Sequence, residues 1–256
     1  MFSYDDPLVP QFAGTYVNSN GNFDGTIRVV SWNIKFSQEI DYAVHTLGAV
    51  RELAGADILL LQEMDEHGAD AIARSLGYNY VYFPAVVHTH HEKNFGNAIL
   101  AKWPIGQPRK VLLPHQNPRN RQIRIATQAL VMAGDLEVLA SCVHTETYWL
   151  PPSKRGEQID MLAADLLDMP DYVVVGGDFN TLTRASITDL ERRVGRAGLQ
   201  RISQGAGYTY QVGMLKFTMD HIFARYMYPL EKGVWRDTQA SDHYPLWVRV
   251  SPLRTG

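Results

Sequence analysis

The side chains best able to do chemistry stand in short motifs scattered along the chain. They are Ser31-Trp32-Asn33, Leu61-Gln62-Glu63, His144, Gly176-Gly177-Asp178-Phe179-Asn180, Met219-Asp220-His221-Ile222 and Ser241-Asp242-His243-Tyr244-Pro245. Together they offer carboxylates, carboxamides and imidazoles. The one cysteine, Cys142, excludes an intrachain disulfide and a cysteine-based zinc site. Oxygen donors of this kind suit Mg²⁺ or Mn²⁺, and imidazoles near them suit an anionic partner. Asp178 and Asn180 are two residues apart, so an extended backbone points both side chains the same way. Taken singly, each motif has a plainer reading: a glutamate after an apolar run starts a turn or helix, Gly-Asp-Phe-Asn ends a strand, and a lone histidine packs or faces solvent. Independent turns do not supply the whole set in this order.

Each motif closes or follows a short apolar run, and those runs must position it. Runs rich in branched residues cover Thr26–Trp32, Asp57–Gln62, Tyr80–Val86, Asn97–Ala101, Arg124–Met132, Leu136–Val143, Tyr172–Val175, Met219–Ala224 and Leu246–Val250. Gly, Pro, Asn or Asp bounds each of them, as expected of strands. Helical periodicity covers Ile40–Ala54, Glu66–Leu76, Arg155–Leu167 and Thr188–Ala197. Many strands with a few helices between them predict two sheets packed face to face with helices outside. No low-complexity linker or composition break divides the chain, so residues 26–256 are expected to form one domain after a polar lead-in over residues 1–25.

The bulk composition narrows the function. Of the 256 residues 45% are hydrophobic, enough for a substantial core, and 24 Lys plus Arg face 27 Asp plus Glu. A protein that coats nucleic acid is usually basic, so that role is disfavoured while a local basic groove stays open. No stretch approaches the apolar length of a membrane span. The N-terminus has acids where a secretory signal needs bases, which makes the cytoplasm the expected compartment.

The ordered set VVSWNI, ILLLQE, FGNAILAKWPI, the His144 segment with a later RGEQ, VVVGGDFN, FTMDHIF and SDHYP resembles the endonuclease/exonuclease/phosphatase superfamily, also called DNase I-like. The resemblance runs from about Val29 to Val250 and implies a four-layer α/β sandwich: two packed mixed β-sheets flanked by helices. It also implies roles. Glu63 is the metal-ligand candidate, with Asn33 and Asp242 as partners around Mg²⁺ or Mn²⁺. Asp178 orients and deprotonates the attacking water, and Asn180 holds that water or a phosphate oxygen. His243, oriented by Asp220, contacts the scissile phosphate, and His144 is the second phosphate-facing imidazole. Asn97 falls where the family commonly keeps a polar active-site residue, and Arg124 where it often has an arginine.

Other residues decorate this set. Lys35 stands where relatives that repair abasic DNA tend to place an acid, so it either lies in solvent or greets a substrate phosphate. His88, His90 and His91 form a histidine-rich loop, read as solvated or as a rim for an anionic substrate. Tyr148 and Trp149 are loop-packing residues or surfaces for a base or a lipid. The leading expectation is hydrolysis of a phosphodiester or phosphomonoester, on a small-molecule or phospholipid-type substrate, with one divalent metal. A nuclease acting on DNA or RNA comes second. A non-catalytic binding module comes third, since it would be expected to have lost Glu63, Asp178 or His243. Nothing in the sequence implies an obligate protein partner.

Overall fold

The computed structural model describes residues 2–17 and 23–253. In chain order the elements are β1 (Phe12–Gly14), β2 (Ile27–Asn33), α1 (Ile40–Ala49), β3 (Ile58–Met64), α2 (Glu66–Leu76), β4 (Asn79–His88), β5 (Lys93–Ala101), β6 (Ile105–Leu113), β7 (Arg124–Ala133) and β8 (Leu136–His144). They continue with α3 (Pro152–Asp165), β9 (Tyr172–Asp178), α4 (Arg184–Val194), β10 (Gln200–Arg201), β11 (Tyr210–Val212), β12 (Leu215–Phe217), β13 (Asp220–Arg225), β14 (Met227–Val234) and β15 (Leu246–Pro252). One sheet runs β1-β4-β5-β3-β2-β15-β14 and the other β10-β13-β9-β8-β7-β6, with β11 and β12 forming a separate hairpin.

Strand alternation builds the layers. Ile27 and Val29 of β2, with Ile58 and Leu60 of β3, point into the space between the sheets, where Ala140, Cys142 and Val174 meet them. Their neighbours Val30, Trp32, Leu59 and Leu61 point the other way, under Ala43 and Leu47 of α1 and Ile72 of α2. In the second sheet Leu139, Val143, Val173 and Val175 point outward under Ile159, Leu162 and Leu190 of α3 and α4. The result is helix, sheet, sheet, helix: the four-layer α/β sandwich that the resemblance implied. Burial on both faces explains why the central strands read as nearly continuous apolar runs. Each buried Val, Leu or Ile among them contributes about 1.5–3 kcal/mol through removal from water.

The topology gathers the chemical motifs at one end. β2 and β3 are parallel across α1, and β8 and β9 are parallel across α3, so Asn33, Glu63, His144 and Asp178 all lie at or beside carboxyl ends. β13 and β15 run antiparallel to β9 and β2, which brings the beginnings of both to that same end.

Several elements differ from the sequence reading. β6 and β14, absent from it, are outer strands that carry Pro108 and Pro229 and shift register beside them. Proline is tolerated only on such edges and bulges, and it masks the strand pattern. α1 stops at Ala49, not Ala54, because Val50 is extended (φ −76°, ψ 118°). α3 starts at Pro152, in the first turn where proline is pre-organised for a helix. α4 starts at Arg184 because Thr183 and Ser186 cap it reciprocally. The lead-in's residues 3–14 lie against the sheets: β1 pairs with β4, Ser3 bridges Val86, and the buried Lys110 Nζ donates to the carbonyls of Tyr4 (2.9 Å) and Val9 (3.0 Å). Among the described residues no helix is long and apolar enough to cross a membrane.

Gly177 pairs with Val143 of β8, and a Cβ there would collide with the Val143 carbonyl. Gly177→Ala is therefore expected to lower the unfolding free energy by about 2–4 kcal/mol in chemical denaturation, through overpacking against backbone. Gly195→Ala is the control, since its Cβ meets nothing within 4 Å and its φ is −58°. It should be neutral or slightly stabilising, and equal losses at both positions would refute the close-approach argument.

Candidate active site

Strand register places His144 and Asp220 directly beside Asp178, on the neighbouring strands β8 and β13. Three donors converge on one oxygen. Asp178 Oδ2 lies 3.2 Å from Asn33 Nδ2, 3.6 Å from His144 Nε2 and 3.7 Å from His243 Nε2. The two imidazole distances are too long for direct hydrogen bonds and are those of close electrostatic neighbours. The other oxygen, Oδ1, accepts from the Asn180 N–H at 2.8 Å, while Asn180 Nδ2 donates to the Thr145 carbonyl at 3.0 Å. Asn180 adopts φ 50°, which folds the chain back under Asp178.

Glu63 reaches the same place by a backbone irregularity. Regular alternation would send its side chain to the helix side with Leu61. The register slips between Gln62 and Met64, and Glu63 takes φ 58°, so the bulge re-aims the carboxylate toward the cleft. There Glu63 Oε1 accepts from Asn33 Nδ2 at 3.1 Å. The Asn33 oxygen is held by the Lys35 N–H at 3.0 Å, so the amide bridges Glu63 and Asp178 through its nitrogen. The loop before β15 is tied to the end of β2: Ser241 Oγ donates to the Asn33 carbonyl at 2.7 Å, and Trp32 Nε1 donates to the His243 carbonyl at 2.9 Å.

Electrostatics divides the two imidazoles. His243 Nδ1 donates to Asp220 Oδ2 at 2.9 Å. Burial alone would lower its pKa, but the Asp220 and Asp178 carboxylates outweigh that and push it up to about 10, so the ring is an imidazolium at neutral pH. His144 goes the other way. Burial, then the Arg124 guanidinium and His243, hold it well below the usual histidine range. Arg124 Nη1 stands 3.3 Å from His144 Nδ1 and can only donate, so the neutral ring carries its proton on Nε2, facing Asp178. Burial raises the Asp178 carboxyl, with Asp220 and Glu63 adding to it against His243. Burial likewise raises Glu63, with Asp242 adding to it against Asn33, Arg124 and His243.

The cleft above has a volume of about 330 Å³ and is lined by Lys35, Glu63, Tyr148, Asn180, Asp242 and His243, among others. Asp242 is exposed at its rim, and Tyr148 is 58% exposed. Lys35, Phe36 and Ser37 all have left-handed dihedrals (φ 40°, 57° and 52°), a turn pinned where Ser37 Oγ accepts from the Asp65 N–H at 3.0 Å. Phe36 packs against His88 and His91, with centroids at 4.7 and 4.5 Å, so part of the histidine-rich loop forms a wall against the turn. Asn97 is not at the cleft surface. It is buried between the sheets, and its Nδ2 donates to the carbonyls of Ile125 (2.9 Å) and Cys142 (3.2 Å), bracing β5 against β7 and β8.

Sequence reading passed over Glu146. It is fully buried and accepts from Arg124 Nε at 3.1 Å and from Asn117 Nδ2 at 2.9 Å. Burial would raise its pKa, yet Arg124 and these donors lower it. Glu146 thus fixes the guanidinium that sets the His144 tautomer. The available signal was its spacing of two from His144, the same spacing as Asp178 and Asn180.

Asp178, Asp220 and His243 offer ligand atoms all within 4.8 Å of one another, a grouping that could hold a metal ion only if His243 gave up a proton. The endonuclease/exonuclease/phosphatase family model matches residues 30–243, and the chain belongs to that family. A UPF0294 protein of Vibrio cholerae is 31% identical over 119 residues, 46% of this chain. The match spans 41% of that relative's length. Among solved structures, an endonuclease/exonuclease/phosphatase of Beutenbergia cavernae superposes with a TM-score of 0.70 at 19% identity, covering 89% of this chain and 72% of that one. The mannosyl-6-phosphatase of Bacteroides thetaiotaomicron gives 0.69 at 17%, covering 88% and 99%. A humanised D. rerio TDP2 gives 0.67 at 17%, covering 89% and 100%. These structural likenesses carry the fold. Members of the family are generally hydrolases of phosphoesters.

The charge assignment is testable in metal-free protein. Nitrogen-detected NMR is expected to find His243 doubly protonated at pH 7 and His144 neutral with the proton on Nε2. A group whose folded pKa is raised contributes stability that is fully present below its unfolded value near 6.5 and is lost as pH rises toward about 10. Asp220→Asn should remove much of that slope. A neutral His243 at pH 7 would refute the assignment.

Proposed function

We propose that this cleft hydrolyses a phosphodiester or phosphomonoester, with a small-molecule or phospholipid-type substrate and one divalent cation, Mg²⁺ or Mn²⁺. The observation that carries the reading is the convergence of Asn33, His144 and His243 on Asp178 Oδ2 with Glu63 beside it, from five separate strand ends or loops. The residues fit a divalent cation. Glu63, Asp178, Asp220 and Asp242 crowd one site, His243 compensates a single charge, and Arg124 is already paired with Glu146. Asp220 Oδ1 is also buried without a hydrogen-bond partner among the described residues.

Glu63 would hold the ion, with Asp242 at the rim. Asn33 would support from outside, since its oxygen is engaged by the Lys35 N–H. When bound, the ion supplies neutralising charge at the phosphate. The rest is the work of the chain. Asp178, whose carboxyl is raised toward the range of a general base, orients the attacking water and takes its proton. Asn180 positions that water or a phosphate oxygen. The His243 imidazolium and the Nε2–H of His144 donate to phosphate oxygens as charge builds on them.

Activity is expected to vanish in EDTA and return with Mg²⁺ or Mn²⁺. Asp178→Asn and His243→Ala should each lower kcat by about 10²–10⁴-fold, and Glu63→Gln should raise the metal concentration needed while circular dichroism stays unchanged. Full turnover in EDTA would overturn the reading.

A nucleic-acid substrate is the second reading, favoured by one local feature. The Arg119 guanidinium stacks 3.1 Å from the Trp149 ring centroid, and that ring lies 4.5 Å from exposed Tyr148 at the cleft. Such a surface could stack bases, and one structural neighbour, D. rerio TDP2, was solved with a single-strand DNA product. If the substrate is small, DNA should bind weakly even at low salt while turnover of a chromogenic diester persists. Efficient plasmid nicking at physiological salt, with affinity falling steeply as salt rises and nicking abolished by Asp178→Asn, would favour the second reading.

A further inference from the structure

Between α3 and α4, beside the cleft, lies a second cavity of about 470 Å³. This falls within the range of roughly 300–1,000 Å³ typical of small-molecule sites. Leu182, 36% exposed, lines both spaces. The floor is buried and apolar, made by Ile159, Phe179 and Leu190, and the exposed Pro152 and Ala185 stand at the lip.

The polar groups of the wall are already engaged. Thr181 Oγ1 donates to the Thr218 carbonyl at 2.7 Å and lies 2.7 Å from His221 Nε2. Thr183 and Ser186 satisfy one another in the cap of α4, and Asp189 accepts from Arg192 and Arg193. Arg155 is the exception. Its Nη1 donates to the Asn180 carbonyl at 3.2 Å, its Nε is buried with no hydrogen-bond partner, and among the described residues no carboxylate forms an ion pair with it. What a ligand meets is a largely apolar wall, the already engaged side chains of Thr181, Thr183, Ser186 and Asp189, and one guanidinium with a donor to spare. That guanidinium is bonded to Asn180, which also lines the reactive cleft.

We propose that this cavity seats the hydrocarbon chain of an amphiphilic phosphoester, with Arg155 donating to an oxygen at the junction of chain and phosphate. The inference rests on the phosphoesterase reading of the cleft and narrows it to esters of apolar alcohols. Leu182 lines both spaces and so sets them side by side, and a hydrocarbon suits the apolar floor of Ile159, Phe179 and Leu190. Arg155 supplies the polar contact that fixes its orientation.

Binding separates the cavity from catalysis. Methylphosphonate and decylphosphonate, the latter below its micellar concentration, would be titrated calorimetrically into the wild type, Ala185→Trp and Ala185→Phe. Ala185 is exposed in the first turn of α4, so either aromatic ring can fill the lip without entering the core. The wild type is expected to bind decylphosphonate tighter by about tenfold or more, since each buried methylene adds affinity. Ala185→Trp should abolish that preference and Ala185→Phe reduce it, with methylphosphonate unchanged in both. Equal affinities in the wild type, or a decyl preference untouched by both variants, would overturn the proposal. Hydrolysis of methyl and decyl 4-nitrophenyl phosphodiesters distinguishes the two levels. Turnover of both without chain preference sinks the cavity and spares the cleft. Chain-dependent binding with turnover of neither sinks the phosphoesterase reading and leaves the ligand class of the cavity standing.

Discussion

A single carboxylate oxygen organises the open end of this sandwich. Asp178 Oδ2 sits where an amide and two imidazoles meet, and each of those donors is delivered by a different part of the chain. The constraint behind it is backbone spacing. β8 and β9 approach so closely at Gly177 that no side chain fits against the Val143 carbonyl. The next residue on each strand, His144 and Asp178, is thereby held side by side. A small change in that approach would move the imidazole relative to the carboxylate before it disturbed anything in the core.

The donors differ in charge because their surroundings differ. His243 has a buried carboxylate behind it and His144 a guanidinium, so one ring is a cation and the other a neutral donor with a fixed tautomer. Arg124 can play that part because Glu146 neutralises it, at the bottom of a loop otherwise ordered by Asn117. Two residues at the mouth, Glu63 and Asn180, sit in left-handed backbone conformations. Such dihedrals cost about 1 kcal/mol or more for a residue other than glycine. Here they aim side chains that regular strands would send elsewhere.

Much of the fold was legible in the sequence, because strands buried on both faces leave long apolar runs, and β3, β8 and β9 stand out for that reason. β6 and β14 were illegible because edge strands interrupted by proline lose the pattern. Asn33, Glu63, His144, Asp178, Asp220 and His243 were findable as polar residues at the ends of those runs. Glu146 was harder to find, since a buried ion pair between a loop and a strand leaves only its spacing of two from His144 as a trace. Asn97 looked like a site residue for a similar reason. A buried amide that braces two sheets and one that meets substrate present the same letter in the same kind of run.

The placement of β15 has a consequence for how the molecule comes into being. It follows the other strands in chain order, yet it lies between β2 and β14, and the loop before it carries Asp242 and His243. A nascent chain that has exposed everything up to β14 still lacks the partner for the flank of β2. It also lacks the imidazolium that faces Asp178. Long-range pairing of this kind slows folding and leaves an apolar strand uncovered during synthesis. The reactive constellation can therefore assemble only after the segment from Asp242 through β15 has left the ribosome, so a chain made only as far as β14 holds a scaffold with no complete site.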